Sequence, residues 1–108
     1  MIKAITCIKR KSGMSVEDFQ TYWRTDHAKV VKRLPGLRRY IQSHALLGGY
    51  RKGELIYDGI AEIWVDDVAA LRAMAGTAAY GAVQTDEENF IDRAKMALIL
   101  TQEHIIKD

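Results

Sequence analysis

The first part of the chain changes from a strand pattern to a helix pattern. Residues 2–9 alternate along the chain and are rich in β-branched side chains, which predicts a first strand. After a polar turn, apolar residues recur every three or four positions, the spacing of one helix face. Ser15 stands at the N-cap of this helix, and Pro35-Gly36 end it. The apolar face comprises Val16, Phe19, Trp23, His27, Val30 and Leu34.

The rest of the chain predicts three further strands and a helical region. A second strand is predicted over residues 37–47, and a glycine-containing connection separates it from a third strand, Gly59–Val65. Asp66-Asp67 cap a short helix, and Thr77 begins a further helical stretch. A fourth strand is predicted over residues 95–106.

This order of elements predicts an α+β fold of the ferredoxin-like, split βαβ kind with a four-stranded antiparallel sheet. The length predicts a single domain, residues 1–108. In this topology the helices cover only one face of the sheet. Segments 60–65 and 96–100 are nevertheless apolar on both faces, so the second face also needs cover. We therefore predict a homodimer formed through the sheet face.

Composition adds expectations about location and partners. The formal net charge of +2 gives little reason to expect nucleic acid as a partner. The lone Cys7 cannot form an internal disulfide, which is typical of a reduced, cytoplasmic protein. Charged residues interrupt every apolar run, and Met1 leads directly into the first strand pattern. Neither a membrane span nor a secretion signal is therefore expected.

His27 occupies a place on the apolar helix face where packing alone would favour leucine. A buried imidazole needs hydrogen-bond partners, and its pKa is easily tuned around neutral pH. His27 is therefore either a proton-exchanging group in a ligand pocket or a core histidine held by a carbonyl or carboxylate. Glu62, which lies between apolar neighbours in the third strand, is a candidate partner for it. The alternative partner of Glu62 is a lysine or an arginine.

Other candidate side chains are aromatic or polar. Trp23 lies one turn from His27 on the same helix face and serves either as a pocket wall or as core packing. Tyr22 lies beside that face and either donates its hydroxyl to a ligand or reaches solvent at the dimer edge. Alternate residues of the second strand share one face and form either a pocket wall or an exposed stripe. They are Tyr40, Gln42 and His44.

The chemistry that these residues suggest is proton transfer. We expect no metal site, because His27, His44 and His104 are far apart and no cysteine cluster accompanies them. No glycine motif for a nucleotide is present, and no cofactor is expected. The hypothesis is that His27 removes or relays a proton from a cyclic or aromatic substrate. Tyr22 or His44 would donate a hydrogen bond to a substrate oxygen.

Several motifs together resemble the EthD family of dimeric α/β barrels. The most specific combination is Tyr22-Trp23 followed by His27, with Leu34-Pro35-Gly36 after the helix. The resemblance extends over nearly the whole chain. The other matching segments are residues 8–15, 37–40, 58–64, 88–92 and 103–104.

The resemblance implies a two-chain barrel with a pocket between helix and sheet in each subunit. EthD proteins are linked to the degradation of ethers such as ethyl tert-butyl ether, and their relatives include polyketide-tailoring proteins and a muconolactone isomerase. The implied function is a cofactor-independent enzyme of isomerase, dehydratase or oxidoreductase type, or an accessory protein. It would act on a small cyclic, aromatic or ether-derived metabolite through a His27 pocket.

Two other classes of function compete with this one. The first is a non-catalytic small-molecule-binding or stress-related dimer that uses the same pocket. The second is RNA binding, because RNA-recognition domains share this element order. Their sheet aromatics are missing here, since the first strand has none and the third reads Ile60-Ala61-Glu62-Ile63-Trp64-Val65 instead of an aromatic, basic motif. RNA binding is therefore disfavoured.

Overall fold

The computed structural model of the protein describes all 108 residues. Its strands are β1 (Ile2–Ile8), β2 (Arg39–His44), β3 (Gly59–Val65) and β4 (Ala97–Thr101). Its helices are α1 (Val16–Tyr22), α2 (Ala28–Val31), α3 (Val68–Ala75) and α4 (Ala78–Glu87). The strands form one sheet in the order β2-β3-β1-β4, and every neighbouring pair is antiparallel. The predicted α+β, ferredoxin-like fold class is confirmed.

The helices begin at the side chains that the sequence identifies as N-caps. Ser15, Asp67 and Thr77 each accept a hydrogen bond from the backbone N–H three residues further along. Each cap satisfies one of the N–H groups that a helix leaves unpaired at its start. After the first helical region, Gly36 has a φ of +80°, which glycine adopts without strain. The chain therefore turns here and enters β2.

Two strands are shorter than predicted because their partner strands end. The predicted second strand over residues 37–47 is paired only over Arg39–His44, since His44 already faces the first residue of β3. The predicted fourth strand over residues 95–106 is paired only over Ala97–Thr101, because Thr101 lies opposite Lys3 near the start of β1. Lys95 instead belongs to a short 3₁₀ turn. Alternation alone does not reveal where a partner strand stops.

The first helical region is interrupted by a π-helical turn, Trp23–His27, between α1 and α2. The sequence predicts one continuous α-helix instead. Because a π turn contains more residues than an α turn, the face that packs on the sheet moves along by one position after it. Val31 is therefore buried, whereas Val30, which the sequence places on the buried face, is only partly buried. Such turns occur frequently at functional sites.

The two faces of the sheet have different surroundings. Ala4, Ile8 and Val65 lie on the face covered by the helices and are buried. On the opposite face, Ile60 and Ile99 remain 39% and 60% exposed. The side chain of Cys7 lies on this second face as well, opposite Ile60 in the strand register. The predicted one-sided helix cover is therefore present.

The buried apolar residues form two separate clusters between the helices and the sheet. Cluster 1 consists of Ile8, Phe19, Trp23, Phe90 and Ile91. Cluster 2 consists of Val31, Leu34, Val65, Met74 and Val83.

Cluster 1 depends on a glycine. A Cβ atom at Gly59 would lie 2.5 Å from Cζ3 of Trp23 and 2.8 Å from the Ser43 carbonyl oxygen. Any larger residue at this position would therefore push the indole ring away from the sheet.

Candidate functional site

A cavity of about 400 Å³ lies between the helices and the sheet. Residues of both clusters line it, including Ile8 and Trp23 from cluster 1 and Val31 and Val83 from cluster 2. Protein interiors are normally close-packed, so an unfilled space of this size within the core is typical of a ligand site. The walls are mostly apolar. The polar residues that line it are Thr6, His27, Tyr40, Arg72, Tyr80, Gln84, Glu87 and Arg93.

His27 stands in the cavity wall and is held there by Asp86 of α4. The imidazole is only 4% exposed, and its Nδ1 lies 2.7 Å from Oδ2 of Asp86. The ring packs against Phe90, with ring centroids 4.6 Å apart. Asp86 does not line the cavity. The geometry therefore fixes Nδ1 on the protein side and leaves Nε2 without a protein hydrogen-bond partner.

The second oxygen of Asp86 is held by two further side chains. Tyr22 donates its hydroxyl to Oδ1 at 2.6 Å, and Asn89 donates its amide to the same oxygen at 3.1 Å. Asn89 also donates to the Tyr22 hydroxyl oxygen at 3.1 Å. Burial raises the pKa of Asp86, but the hydrogen bonds from Tyr22, His27 and Asn89 outweigh it. The pKa of this carboxyl therefore lies below its ordinary value.

His27 is a neutral imidazole at neutral pH. Burial lowers its pKa below the ordinary 6.5, although the hydrogen bond and the negative charge of Asp86 act in the opposite direction. Because Asp86 is ionised and can only accept, Nδ1 carries the proton and Nε2 carries a lone pair. The side chain is thus a neutral base oriented by a carboxylate.

Two further polar groups of the wall are Tyr40 and Glu87. Tyr40 accepts a hydrogen bond from Gln42 at 2.7 Å, and its own hydroxyl hydrogen has no protein acceptor. Burial raises the pKa of Tyr40, so the hydroxyl stays protonated and can donate. Burial also raises the pKa of Glu87, which lies 3.5 Å from Nε of Arg93. The cavity thus combines a base with a hydroxyl donor.

Only some of the residues predicted to surround His27 line the cavity with it. Trp23 and Tyr40 do line the cavity with it. Tyr22 does not, because its hydroxyl is bound to Asp86. His44 does not line it either.

His44 packs on the indole of Trp23, with ring centroids 4.2 Å apart. Its Nε2 lies 2.8 Å from the Gln42 side-chain oxygen, and its Nδ1 is buried without a partner. Neither nitrogen of His44 is therefore placed to contact a molecule in the cavity.

The pairing of Glu62 with His27 that the sequence suggests is wrong. Glu62 lies on the opposite side of β3 from Ala61 and Ile63, and it forms an ion pair with Nζ of Lys3 at 2.8 Å. The alternative partner, a lysine, is the one observed. Successive residues of a strand point to opposite faces, so a glutamate on the helix-free face cannot reach a helix residue.

The residues that sequence reasoning missed belong to α4. Asp86 and Glu87 lie three and four residues after Val83, which places Glu87 on the helix face that packs on the sheet. A carboxylate on an apolar helix face is the same signal that singled out His27. Applied to α4, it would have identified this helix as part of the site.

The structure contains no group of three histidine, cysteine, aspartate or glutamate side chains placed to hold a metal ion. His104 is exposed, so the three histidines of the chain do not converge. No helix has both the length and the apolar character that crossing a bilayer requires.

The fold and this site define a class of protein: a small ferredoxin-like domain with a histidine in an apolar cavity between its helices and its sheet. The family model of the EthD domain matches residues 11–94. The chain belongs to the EthD family. No curated protein matches the sequence.

Solved structures with the same fold cover almost the whole chain. An EthD family protein from Bacillus halodurans has a TM-score of 0.78 at 22% identity, over 96% of this chain and 99% of that one. A dimeric ferredoxin-like protein of unknown function from Thermobifida fusca has a TM-score of 0.71 at 18% identity, over 94% and 90%. SnoaB from Streptomyces nogalater, described as a cofactor-independent oxygenase, has a TM-score of 0.67 at 11% identity, over 98% and 97%. At these identities the similarity shows the fold alone.

Proposed function

We propose that this protein is an enzyme that transfers protons to and from a small cyclic or aromatic molecule, with His27 as the base. The observation that carries the proposal is the Nδ1 hydrogen bond of His27 to Asp86, which leaves the Nε2 lone pair available in an apolar cavity. Because burial lowers the pKa of His27 below its ordinary 6.5, this base is in its unprotonated, reactive form at physiological pH. The reaction needs no cofactor, as in the oxygenase SnoaB that shares the fold.

The proposed step is removal of a proton from a carbon next to a carbonyl group. The C–H electron pair forms a C=C bond to the carbonyl carbon, the π electrons of the carbonyl group move to its oxygen to give an enolate, and Nε2 gains the proton. Asp86 stabilises the imidazolium that forms. Tyr40, whose hydroxyl hydrogen has no protein acceptor, donates to the enolate oxygen. This role replaces the predicted donation by Tyr22 or His44, since neither of those side chains lines the cavity.

The exchange of carbon-bound protons for deuterium tests this proposal directly. The probe is β-tetralone, a neutral bicyclic ketone with an acidic methylene between its ring and its carbonyl, and the readout is the loss of the methylene signal in deuterated buffer. We expect the wild type to accelerate exchange, and His27→Asn to lose at least about a hundredfold of that acceleration. The matched control is His104→Asn, which removes an exposed histidine that does not line the cavity.

The competing function is a non-catalytic binding protein that uses the same cavity. Binding of β-tetralone by the wild type, detected as a thermal shift, without accelerated exchange would favour it. Full exchange activity in a folded His27→Asn variant would contradict the proposed base. The activity expected for His104→Asn shows that loss of a histidine outside the cavity does not slow exchange, and loss of exchange in a folded His27→Asn variant identifies the base.

We also propose that two chains associate through the helix-free face of the sheet. Ile5 lies opposite Ile99, and Cys7 lies opposite Ile60, so apolar side chains of three neighbouring strands adjoin on this face. An exposed apolar sheet face of this kind is typical of a protein interface. The similar protein from Thermobifida fusca is described as dimeric.

The dimer is tested by the mass in solution. Ile99→Lys places a charge among the exposed apolar side chains of this face and is expected to give monomers in analytical ultracentrifugation. Ile106→Lys is the matched control, because Ile106 is 93% exposed in the C-terminal segment outside the sheet. A wild type that sediments as a monomer at micromolar concentration would contradict the proposal.

A further inference from the structure

Several side chains that line the cavity are also exposed, and they form the rim through which it opens to solvent. Arg72 and Ala75 of α3 contribute to this rim, together with Gln84 of α4. The other members are Arg93 and the leucines at positions 98 and 100, which are 60% and 50% exposed. A ligand that fills the cavity therefore has one end at this rim, where two arginines stand.

The charges along the cavity wall are not balanced. Arg93 lies 3.5 Å from Glu87 and 3.8 Å from Glu88. Asp86 is bound to His27 and does not line the cavity. Arg72 forms no ion pair and no hydrogen bond with any protein group. Since His27 is neutral and Glu87 faces Arg93, the guanidinium of Arg72 is the charge of the wall that no protein carboxylate compensates.

Arg72 and His27 belong to different walls of the cavity. Helix α4 packs against the π turn and α2 as well as against α3. The ring of His27 contacts Phe90 of cluster 1, whereas Leu71, the neighbour of Arg72, packs against cluster 2. A molecule lying between the two clusters thus meets the base at one wall and the guanidinium at another.

We propose that the ligand of this cavity is a ring compound with a carboxylate, and that Arg72 binds this carboxylate at the rim. The apolar walls remove the ring from water, and a guanidinium binds a carboxylate through two parallel charge-assisted hydrogen bonds. The ring would then reach His27, so the inference names the substrate class of the proposed enzyme and rests on that function.

The test compares two probes with the same ring that differ only at one end, a carboxylate in β-naphthylacetate and a neutral hydroxyl in the corresponding alcohol, β-naphthylethanol. By isothermal titration calorimetry at low salt, the wild type is expected to bind the acid about tenfold more tightly than the alcohol. Arg72→Gln is expected to lose this preference through weaker binding of the acid. The matched control is Arg33→Gln, an exposed arginine that does not line the cavity and is expected to keep the preference.

Three results would overturn the inference: equal affinity of the wild type for acid and alcohol, an unchanged acid preference in Arg72→Gln, or no binding of either probe. Failure of the proposed catalysis is distinguishable, because β-tetralone is neutral and its exchange is measured in the wild type and the His27 variants. Acid preference without exchange would count against the base and not against Arg72. Exchange without acid preference would count against Arg72 and not against the base.

Discussion

Asp58 and Asp86 are two shielded carboxylates with similar local geometry and different surroundings. Each accepts a short hydrogen bond from a tyrosine hydroxyl, from Tyr50 at 2.5 Å in the first case and from Tyr22 at 2.6 Å in the second. Asp58 is completely buried, and its remaining acceptor sites are taken by Arg10, through both the backbone N–H and the guanidinium. Asp86 instead holds His27, whose other nitrogen has no protein partner.

The partners decide what each carboxylate does. Around Asp58 every strong group is satisfied within the protein, and the network joins the end of β1 to the segment that precedes β3. Burial raises the pKa of Asp58, but the bonds from Arg10 and Tyr50 and the charge of Lys9 keep it below its ordinary value. The Asp86 network leaves one reactive atom, Nε2 of His27, without a protein partner. A carboxylate network that closes on itself stabilises a fold, whereas one that ends at a cavity can support chemistry.

The largest effect on stability is expected from Asp58→Asn. The change removes the buried counter-charge of the Arg10 guanidinium, whose side chain is only 14% exposed and which then keeps only its ion pair with the exposed Glu54. Removing one partner of such a pair costs on the order of 3 kcal/mol of unfolding free energy. Urea unfolding measures this, with Asp66→Asn, which breaks an exposed ion pair with Arg38, as the control. Equal losses in both variants would mean that the Asp58 network is not a structural clamp.

The next effect is expected on catalysis from Asp86→Asn. The amide can still contact His27, but it provides no negative charge to stabilise an imidazolium and can favour the wrong tautomer. We expect the accelerated exchange of β-tetralone to fall about 10-fold to 100-fold. The unfolding free energy should change less than in Asp58→Asn. A variant with the exchange rate of the wild type would remove Asp86 from the mechanism.

The pH dependence of exchange sharpens the role of Asp86. Because burial lowers the pKa of His27, the rate should rise with pH through an inflection below 6.5 and level off above that inflection. Asp86 raises the pKa of His27, so Asp86→Asn should move the inflection to still lower pH. Rate profiles of the two proteins measure both effects. An inflection above 6.5, or one that moves upward in the variant, would contradict a buried neutral base.

Stability should respond to pH through the same group. The unfolded chain protonates His27 near 6.5, and the folded protein does so only at lower pH. The folded state therefore binds fewer protons in this window, and stability falls as pH drops from 6.5 to the folded pKa of His27. Urea titrations of the wild type and His27→Asn measure the slope. If the same slope persists in His27→Asn, groups other than His27 cause the pH dependence of stability.

The smallest expected effects distinguish the roles of Tyr22 and Tyr50. Tyr22→Phe and Tyr50→Phe each remove one hydroxyl donor and should each cost about 1 kcal/mol of unfolding free energy. Only Tyr22→Phe should also slow exchange, by several fold, because it loosens the carboxylate that orients His27. Parallel unfolding and exchange measurements test this. Equal exchange rates in the two variants would show that the Asp86 network tolerates the loss.

Much of the fold could be predicted from local signals. The N-caps Ser15, Asp67 and Thr77 lie where the sequence places them, and β3 has the predicted bounds. The predicted second and fourth strands are longer than the observed β2 and β4, because pairing depends on where the partner strand ends and not on alternation. The sequence does not predict the π turn, because the turn requires no particular residue type and shifts the spacing of the buried helix positions by only one residue.

The candidate site was predicted less completely. His27 is identifiable because a polar side chain on an apolar helix face violates the periodic pattern. Its partner is not, since Asp86 lies 59 residues away and approaches only when α4 packs beside the π turn. From the sequence alone, Glu62 was an equally reasonable partner for His27, because both faces of β3 are apolar and the sequence does not show which face the helices cover.

The sequence by itself determined the order of elements, the helix starts and the presence of one unusual histidine, because propensity, capping and periodicity act over a few residues. Only the tertiary structure decided which nitrogen of His27 is available, which carboxylate orients it, and that Arg72 stands at the rim of the same cavity. These features depend on how α3 and α4 lie over the sheet. Such packing is fixed by long-range contacts among side chains that no local pattern encodes.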